Sequence, residues 1–355
     1  MLVGASVGIT LLGKKLKPLK NIYNHIKLAG NQVVESILDN GAPFVENYHN
    51  AAYKLDLESA YGDNQGTHTK VLYFENGWNG YKYWMTFSPY PKSDDSKENP
   101  HIKVSNDMIN WSEPEGFRNP LEDTPKDYEH MVIYYSDPHL VYNYDKDILE
   151  CYFRRVDDSI DEMILYRMTT KDGVNWTPKE EIIKTKRSVH DYVSPAIIYE
   201  DHMYKVWYVN KNNTVTYEES TDGYNYTNSR VIKLNYKPNT QKTWHLDVIH
   251  TDKGYEMITV AFESWNDRMH MNLYYFNSED NVNWTTGRAI LKPSSISWDN
   301  GGFYRSSFIK INDTYYVFYS ALSQENIRGI GLSYGNDIFN LKGSNIKAEE
   351  NKKEK

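Results

Sequence analysis

Cysteine is almost absent from this chain: Cys151 is the only one in 355 residues. A single thiol excludes an internal disulfide framework and any zinc site built from cysteines. Positive charge is also short, with Lys plus Arg at 40 against 48 Asp plus Glu, for a net charge of −8. That balance argues against a nucleic-acid-binding protein, which would carry a basic patch and a high pI. Long apolar runs are missing too. The stretch 1–12 is too short to span a bilayer. Lysines 14, 15, 17 and 20 follow it instead of preceding it, the wrong polarity for a secretory signal. What the chain has in quantity is aromatic residues, at 14% with 31 tyrosines. Disordered chains lack them, so the composition points to a folded, aromatic-rich, all-β protein.

The first 30 residues hold five lysines and no acid. From Leu16 the positions 19, 23, 26, 30, 33 and 37 step by three and four, the spacing of a coiled-coil seam or of one amphipathic helix. Residues 1–60 are therefore expected to form an N-terminal anchor and short α-helical stem. Beyond residue 67 the pattern alternates with period two, and a phrase recurs. It reads Ser-Asn-Asp-Met-Ile-Asn-Trp at 105–111, Thr-Lys-Asp-Gly-Val-Asn-Trp at 170–176, Ser-Thr-Asp-Gly-Tyr-Asn-Tyr at 220–226 and Ser-Glu-Asp-Asn-Val-Asn-Trp at 278–284. A decayed copy lies at 333–339. Each phrase follows an apolar strand and predicts a tight hairpin turn, with the aromatic opening the next strand and packing between units. Two further strands precede each copy. Units of four antiparallel strands repeating every 50 to 65 residues predict a five-bladed β-propeller over 61–343. Residues 344–355 read as a charged, disordered tail. The Asn-x-Ser/Thr triplets at Asn110, Asn175, Asn225 and Asn283 belong to the turn phrase, so no glycosylation is inferred.

A propeller presents its site where the innermost strands begin. Aligning the five units there superposes His68, Asp137, Ser194, His245 and Arg305, with His139, Trp244, Asp247 and Tyr304 beside them. Such a ring is polar enough to hold a ligand, an ion or water. Two long loops, 88–100 and 112–135, add Tyr90, Asp94, Asp95, Trp111 and Glu113. Aromatic faces with nearby carboxylates and amides are what a sugar needs, one for its C–H face and the other for its hydroxyls. The carbohydrate-binding set expected is Asp137, His139, Trp244, His245, Asp247, Tyr304, Arg305 and Tyr90. No cofactor is assigned. A metal at His68, His245 and Asp137 is conceivable, but spacing alone does not assign one.

Five blades of this length, with motifs such as Ser136-Asp-Pro on the innermost strands, resemble the arabinanase-type enzymes of glycoside hydrolase family 43. That resemblance implies three carboxylates on successive blades: a base Asp, a pKa-tuning Asp and an acid Glu. Here Asp137 matches an Asp-Pro position, but His68 stands in place of the base and Ser194 in place of the acid. Glu98, Asp191, Asp247 and Glu263 lie off the motif. The resemblance thus implies a propeller whose glycosidase machinery is lost, and no catalytic residue is assigned.

The stretch 77–91, the Glu98-Asn-Pro motif, the Asn-Trp turn phrases, Asp137-Pro-His, Trp244-His-Leu-Asp247 and Tyr304-Arg-Ser-Ser307 are similar to staphylococcal phage receptor-binding proteins. This second resemblance implies a homotrimer at a phage tail tip, joined to other virion tail proteins through its stem. It would bind the sugars of wall teichoic acid without cleaving them, with Arg305 or the Arg154–Arg155 pair meeting phosphate. Neither a nucleic-acid partner nor a membrane span is expected. A glycosidase with a displaced carboxylate pair, acting on a cell-wall glycan, is the alternative; a purely structural virion component is a third reading.

Overall fold

The structure is a computed structural model that describes residues 48–348 apart from 238 and 268. Of the stem expected over 1–60, residues 1–47 lie outside the described residues, as does the end of the tail; residues 48–60 form no helix and run instead along the propeller. Within them the chain is all-β, and its only helical elements are three single-turn 3-10 segments.

Twenty strands form five antiparallel sheets arranged as blades. Blade 1 holds β1 (Gly66–Trp78), β2 (Tyr81–Pro89) and β3 (His101–Ser105), with a bridge from Val104 to Ser112 in place of a fourth strand. Blade 2 holds β4 (Ile133–Asn143), β5 (Ile148–Asp157), β6 (Glu162–Thr170) and β7 (Glu180–Lys186). Blade 3 holds β8 (Val193–Glu200), β9 (Met203–Val209), β10 (Val215–Ser220) and β11 (Thr227–Ile232). Blade 4 holds β12 (Lys242–Thr251), β13 (Gly254–Phe262), β14 (Asn272–Ser278) and β15 (Arg288–Leu291). Blade 5 holds β16 (Gly302–Phe303), β17 (Ser307–Ile311), β18 (Thr314–Leu322), β19 (Arg328–Gly335) and β20 (Lys342–Gly343). The innermost strands β1, β4, β8, β12 and β17 touch in a closed ring.

Apolar side chains fill the five gaps between neighbouring blades. One cluster joins Met85 and Trp111 of blade 1 to Phe318 of blade 5. The others join Trp84 to Phe153, Tyr152 to Val206, Trp207 to Phe276, and Phe262 to Tyr319. Residues 48–57 close the ring along blade 5: Gly343 N–H donates to the Tyr48 carbonyl, Ala52 N–H to Ser344 and Leu55 N–H to Ile330.

The repeated phrase makes a wider turn than the hairpin expected. In the second copy one Asp172 carboxylate accepts the backbone N–H groups of Val174 and Asn175, the Asn175 amide and the Thr170 hydroxyl. Asp107, Asp222 and Asp280 repeat the pattern. A side chain thus replaces the backbone pairing of a two-residue turn. The aromatic that follows does pack between blades, as Trp111 does edge-on to Phe318. However, the outermost strands of blades 2 and 4 begin several residues after Trp176 and Trp284.

Gly173 and Gly80 separate two costs in these turns. Both have positive φ, but a Cβ on Gly80 would meet open space while one on Gly173 would lie 2.0 Å from the buried Trp84 ring. Gly80→Ala is expected to cost about 1 kcal/mol in backbone strain. Gly173→Ala is expected to cost several times as much, because overpacking adds to that strain. Denaturant unfolding of both variants checks this, and equal losses would contradict the packing at that interface.

Candidate functional site

Every innermost strand breaks its ladder at the same end. Register shifts fall between Thr67 and Lys70, Ser136 and His139, Val193 and Ala196, and Thr243 and His245. In blade 5, β16 and β17 both pair with β18 and leave 304–306 outside the ladder. At three of the bulges a non-glycine residue has left-handed φ: His68 at 51°, Asp137 at 55° and Ser194 at 52°. Pro138 and Pro195 follow two of them and have no N–H to give the ladder. Each strained residue costs on the order of 1–3 kcal/mol and persists only where its surroundings over-determine it. The bulges re-aim these three side chains onto the propeller axis.

There they meet. His68 Nε2 lies 3.6 Å from Asp137 Oδ1, as do His245 Nδ1 and Arg305 Nη1. The Ser194 hydroxyl donates to Asp137 Oδ1 at 3.2 Å, and its oxygen sits 2.5 Å from His245 Nδ1. Arg154 donates to Asp137 Oδ2 at 2.6 Å and to Asp191 at 2.9 Å. All these groups are buried. Burial opposes ionisation of Asp137, but His68, Arg154, His245 and Arg305 together outweigh it and hold the carboxyl well below its usual range. For His245 burial is the larger influence and pushes its pKa well down.

Both imidazoles are engaged through Nδ1. His245 Nδ1 meets the Ser194 oxygen. His68 Nδ1 meets Glu98 Oε1 at 2.9 Å, an acceptor that also takes the Ser136 hydroxyl at 3.0 Å. Neither buried Nε2 has a hydrogen-bond partner. One donor atom each from His68, Asp137 and His245 falls within 4.8 Å of the others. A cation between His68 Nε2 and Asp137 Oδ1, 3.6 Å apart, would bind both. Glu98 behind His68 completes a carboxylate–histidine arrangement typical of metal sites.

The remaining expected residues separate into rim and scaffold. Tyr304 packs its ring 4.3 Å from His245 and 5.0 Å from His68. Tyr90 and Tyr304 both stack on the guanidinium of Arg328, at 4.4 and 4.7 Å. Trp244, at the blade 4 bulge, lies edge-on to His245 at 5.4 Å. These three line the mouth. By contrast, His139 is scaffold: its Nδ1 accepts from Arg305 at 2.9 Å, so its Nε2–H donates to the Ile197 carbonyl at 2.9 Å. Arg305 is scaffold too, donating to the carbonyls of Pro138 and Pro195 at 3.1 Å each. Asp247 binds Lys70 through both oxygens, at 2.8 and 2.9 Å, and plugs the channel. Behind that plug, a separate cavity of about 340 Å³ opens at the far end between Lys70, Leu140, Ile197 and Val248.

Neither Arg305 nor Arg154 is placed to meet phosphate, since both are buried and engaged. Arg155 points away from the axis, to Asp127 and Asp157. Of the loop residues, Trp111 and Asp95 are buried. Asp95 fastens the 128–131 segment by accepting the Tyr128 hydroxyl and the Met131 N–H. Glu98 was visible in the sequence only as an unplaced carboxylate. Arg328 and Trp265 carried no signal, because neither sits on a repeated position.

No protein-family model matches the chain. A curated relative, the A type blood N-acetyl-alpha-D-galactosamine deacetylase of Flavonifractor plautii, is 29% identical over 84% of this chain. The chain spans less than half of that relative, 45% of its length. Among solved structures, an N-acetylgalactosamine deacetylase from F. plautii, in complex with blood group B trisaccharide, superposes with a TM-score of 0.72. It is 24% identical and covers 81% of this chain and 95% of that one. An exo-1,5-alpha-L-arabinanase from a bovine ruminal metagenomic library superposes at 0.55 with 11% identity, covering 79% of this chain and 96% of its own. The Cellvibrio cellulosa alpha-L-arabinanase does so at 0.55 with 10%, covering 77% and 92%. These likenesses establish the five-bladed fold and its resemblance to the arabinanase-type propellers.

They also overturn the non-cleaving phage adhesin. The relatives found are carbohydrate-processing enzymes, and none of those named here is a tail-fibre or virion protein. They name neither a trimer nor tail-protein partners, and the ligand that one of them holds is a carbohydrate, the blood group B trisaccharide. Among the described residues no helix is long and apolar enough to cross a membrane.

If Lys70 and Asp247 form a structural plug, Lys70→Met is expected to destabilise the protein by about 3–5 kcal/mol by stranding a buried carboxylate. Adding Asp247→Leu is expected to restore most of that loss. Guanidinium unfolding of the two variants decides it. A single variant as stable as the double would contradict the pairing.

Proposed function

We propose that the propeller mouth is the active site of a carbohydrate-processing hydrolase that removes an acetyl group from an N-acetylated sugar, with a divalent cation held by His68, Asp137 and His245. The observation that carries this reading is the convergence of one donor atom each from buried His68, Asp137 and His245 within 4.8 Å of one another, with Glu98 behind His68 at 2.9 Å. Two imidazoles and one carboxylate, with positions left for water and substrate, are a donor set of hydrolytic zinc sites. A cation bound there supplies Lewis acidity and lowers the pKa of a water. The 29% identity to a curated deacetylase supports the same chemistry.

The reaction adds a water oxygen to the acetamide carbonyl carbon and breaks the C–N bond. The proton shed by water goes to the departing nitrogen, leaving acetate and an amino sugar. Glu98 and Ser194 orient the two imidazoles through their Nδ1 atoms. Arg154 fixes the carboxylate plane of Asp137. Burial raises the pKa of both Tyr304 and Tyr90, so both phenols stay protonated and remain donors. Tyr304, packed against both imidazoles, is the phenol that donates to the carbonyl oxygen as charge develops there.

Glycosidic cleavage fits this geometry less well. It needs two carboxyls flanking the bond, about 5–9.5 Å apart across open space. Here Glu98 and Asp137 lie on opposite edges of one imidazole, and Ser194 occupies the place of the acid.

Acetate release from methyl N-acetyl-α-D-galactosaminide tests the proposal, using protein stripped by chelator and reloaded with Zn²⁺, Mn²⁺ or Co²⁺. Activity is expected to vanish on stripping and return with one ion per chain. Asp137→Asn is expected to abolish both ion binding and turnover. Glu98→Gln, which alters the support behind His68 and the Ser136 hydrogen bond without removing a ligand, is expected to lose about 10–100-fold in metal affinity or activity. Full activity in the stripped protein, or unchanged ion binding in Asp137→Asn, would contradict it.

A further inference from the structure

Of the nine tryptophans only one is exposed: Trp265, at 51%, in the β13–β14 connection. β13 runs antiparallel to β12 and ends level with Lys242, so this connection stands at the mouth of the propeller. The Trp265 ring lies edge-on to Trp244 at 5.5 Å and tilted on Phe262 at 5.0 Å. Trp244 in turn is 5.4 Å from the His245 ring. Trp265 is thus one aromatic ring outward from the metal-ligand cluster, and continuous with it.

The loop is held in place at both ends. Ser264 donates to Asp267 at 2.7 Å, and Asp267 N–H returns to the Ser264 carbonyl at 2.9 Å. His270 Nδ1 bonds the Gly301 carbonyl at 2.7 Å, and Phe303 N–H donates to Met271 at 3.0 Å. An exposed indole costs the protein apolar contact with water. On a loop fastened this firmly it forms a fixed platform, suited to the apolar C–H face of a pyranose.

We infer that Trp265 is a second sugar subsite, which stacks the residue next to the one whose acetyl group is removed. The substrate class is then an oligosaccharide or glycan terminus, not a free monosaccharide. This inference rests on the deacetylase reading only for the position of the reacting sugar. Trp265 contributes binding, with no part in the chemistry.

The test compares Trp265→Ala with the unaltered protein on two probes: a trisaccharide with a terminal N-acetylgalactosamine, and methyl N-acetyl-α-D-galactosaminide. The variant is expected to raise KM for the trisaccharide roughly tenfold with kcat little changed, and to leave both constants for the methyl glycoside as they were. Trp265→Phe is expected to recover most of the loss. Equal losses on both probes would show that the ring only props up Trp244 and would overturn the subsite, as would no loss on either. Tryptophan fluorescence gives a second readout that needs no turnover. The trisaccharide should quench the unaltered protein's emission more than the methyl glycoside does, and the excess should vanish in Trp265→Ala. If neither probe is deacetylated, the proposed activity fails, and this titration still decides the subsite.

Discussion

Asp137 is a carboxylate buried on the propeller axis among Arg154, Arg305, His68 and His245, and the rest of the mouth is arranged around it. A lone carboxylate in that position would be neutral, because desolvation penalises the charged form. The basic groups around it, with Arg154 and Arg305 the permanent charges among them, reverse this and keep it an anion. Each of them is held by a different blade or a different part of one. Arg154 comes from β5, Arg305 from the gap in blade 5, His68 from β1 and His245 from β12. The charge at the centre therefore couples closure of the ring to construction of the site.

The backbone makes this possible through one repeated irregularity. A regular innermost strand would alternate its side chains and send every second one into a blade interface. A bulge at the mouth end breaks that alternation and turns His68, Asp137 and Ser194 inward together. The same left-handed geometry on three blades is the residue of a repeated architecture, while its chemistry has diverged from blade to blade. Where arabinanase-type enzymes are expected to carry carboxylates, this chain carries an imidazole, a carboxylate and a hydroxyl. On the proposed reading, that exchange leaves a set suited to a cation in place of a glycosidase pair.

Much of this was legible in the sequence because it is periodic. The recurring Asp and the aromatic four residues after it located four blades and a decayed copy the fifth, since one carboxylate cradling two backbone amides leaves a fixed spacing. The ring His68, Asp137, Ser194, His245 and Arg305 followed from aligning the repeats. What stayed hidden was everything that depends on depth and direction. Asp247 and Asp137 look alike as sequence positions, two aspartates on inner strands, but one is neutralised by Lys70 and the other faces imidazoles. Arg305 reads as an available cation until the carbonyls of Pro138 and Pro195 are found against it. Glu98 arrives from a loop 30 residues beyond His68, and no periodicity reports a contact of that kind. The phage reading erred through shared fold features, which say little about what the mouth does.

The most direct test is the product formed from an intact glycan ending in N-acetylgalactosamine, read by mass spectrometry after incubation with the metal-loaded protein. Loss of one acetyl group, matched by an equal amount of free acetate and with every glycosidic bond preserved, is the predicted result. Shortened glycan with its acetyl groups retained would contradict the account and return the site to glycosidic cleavage.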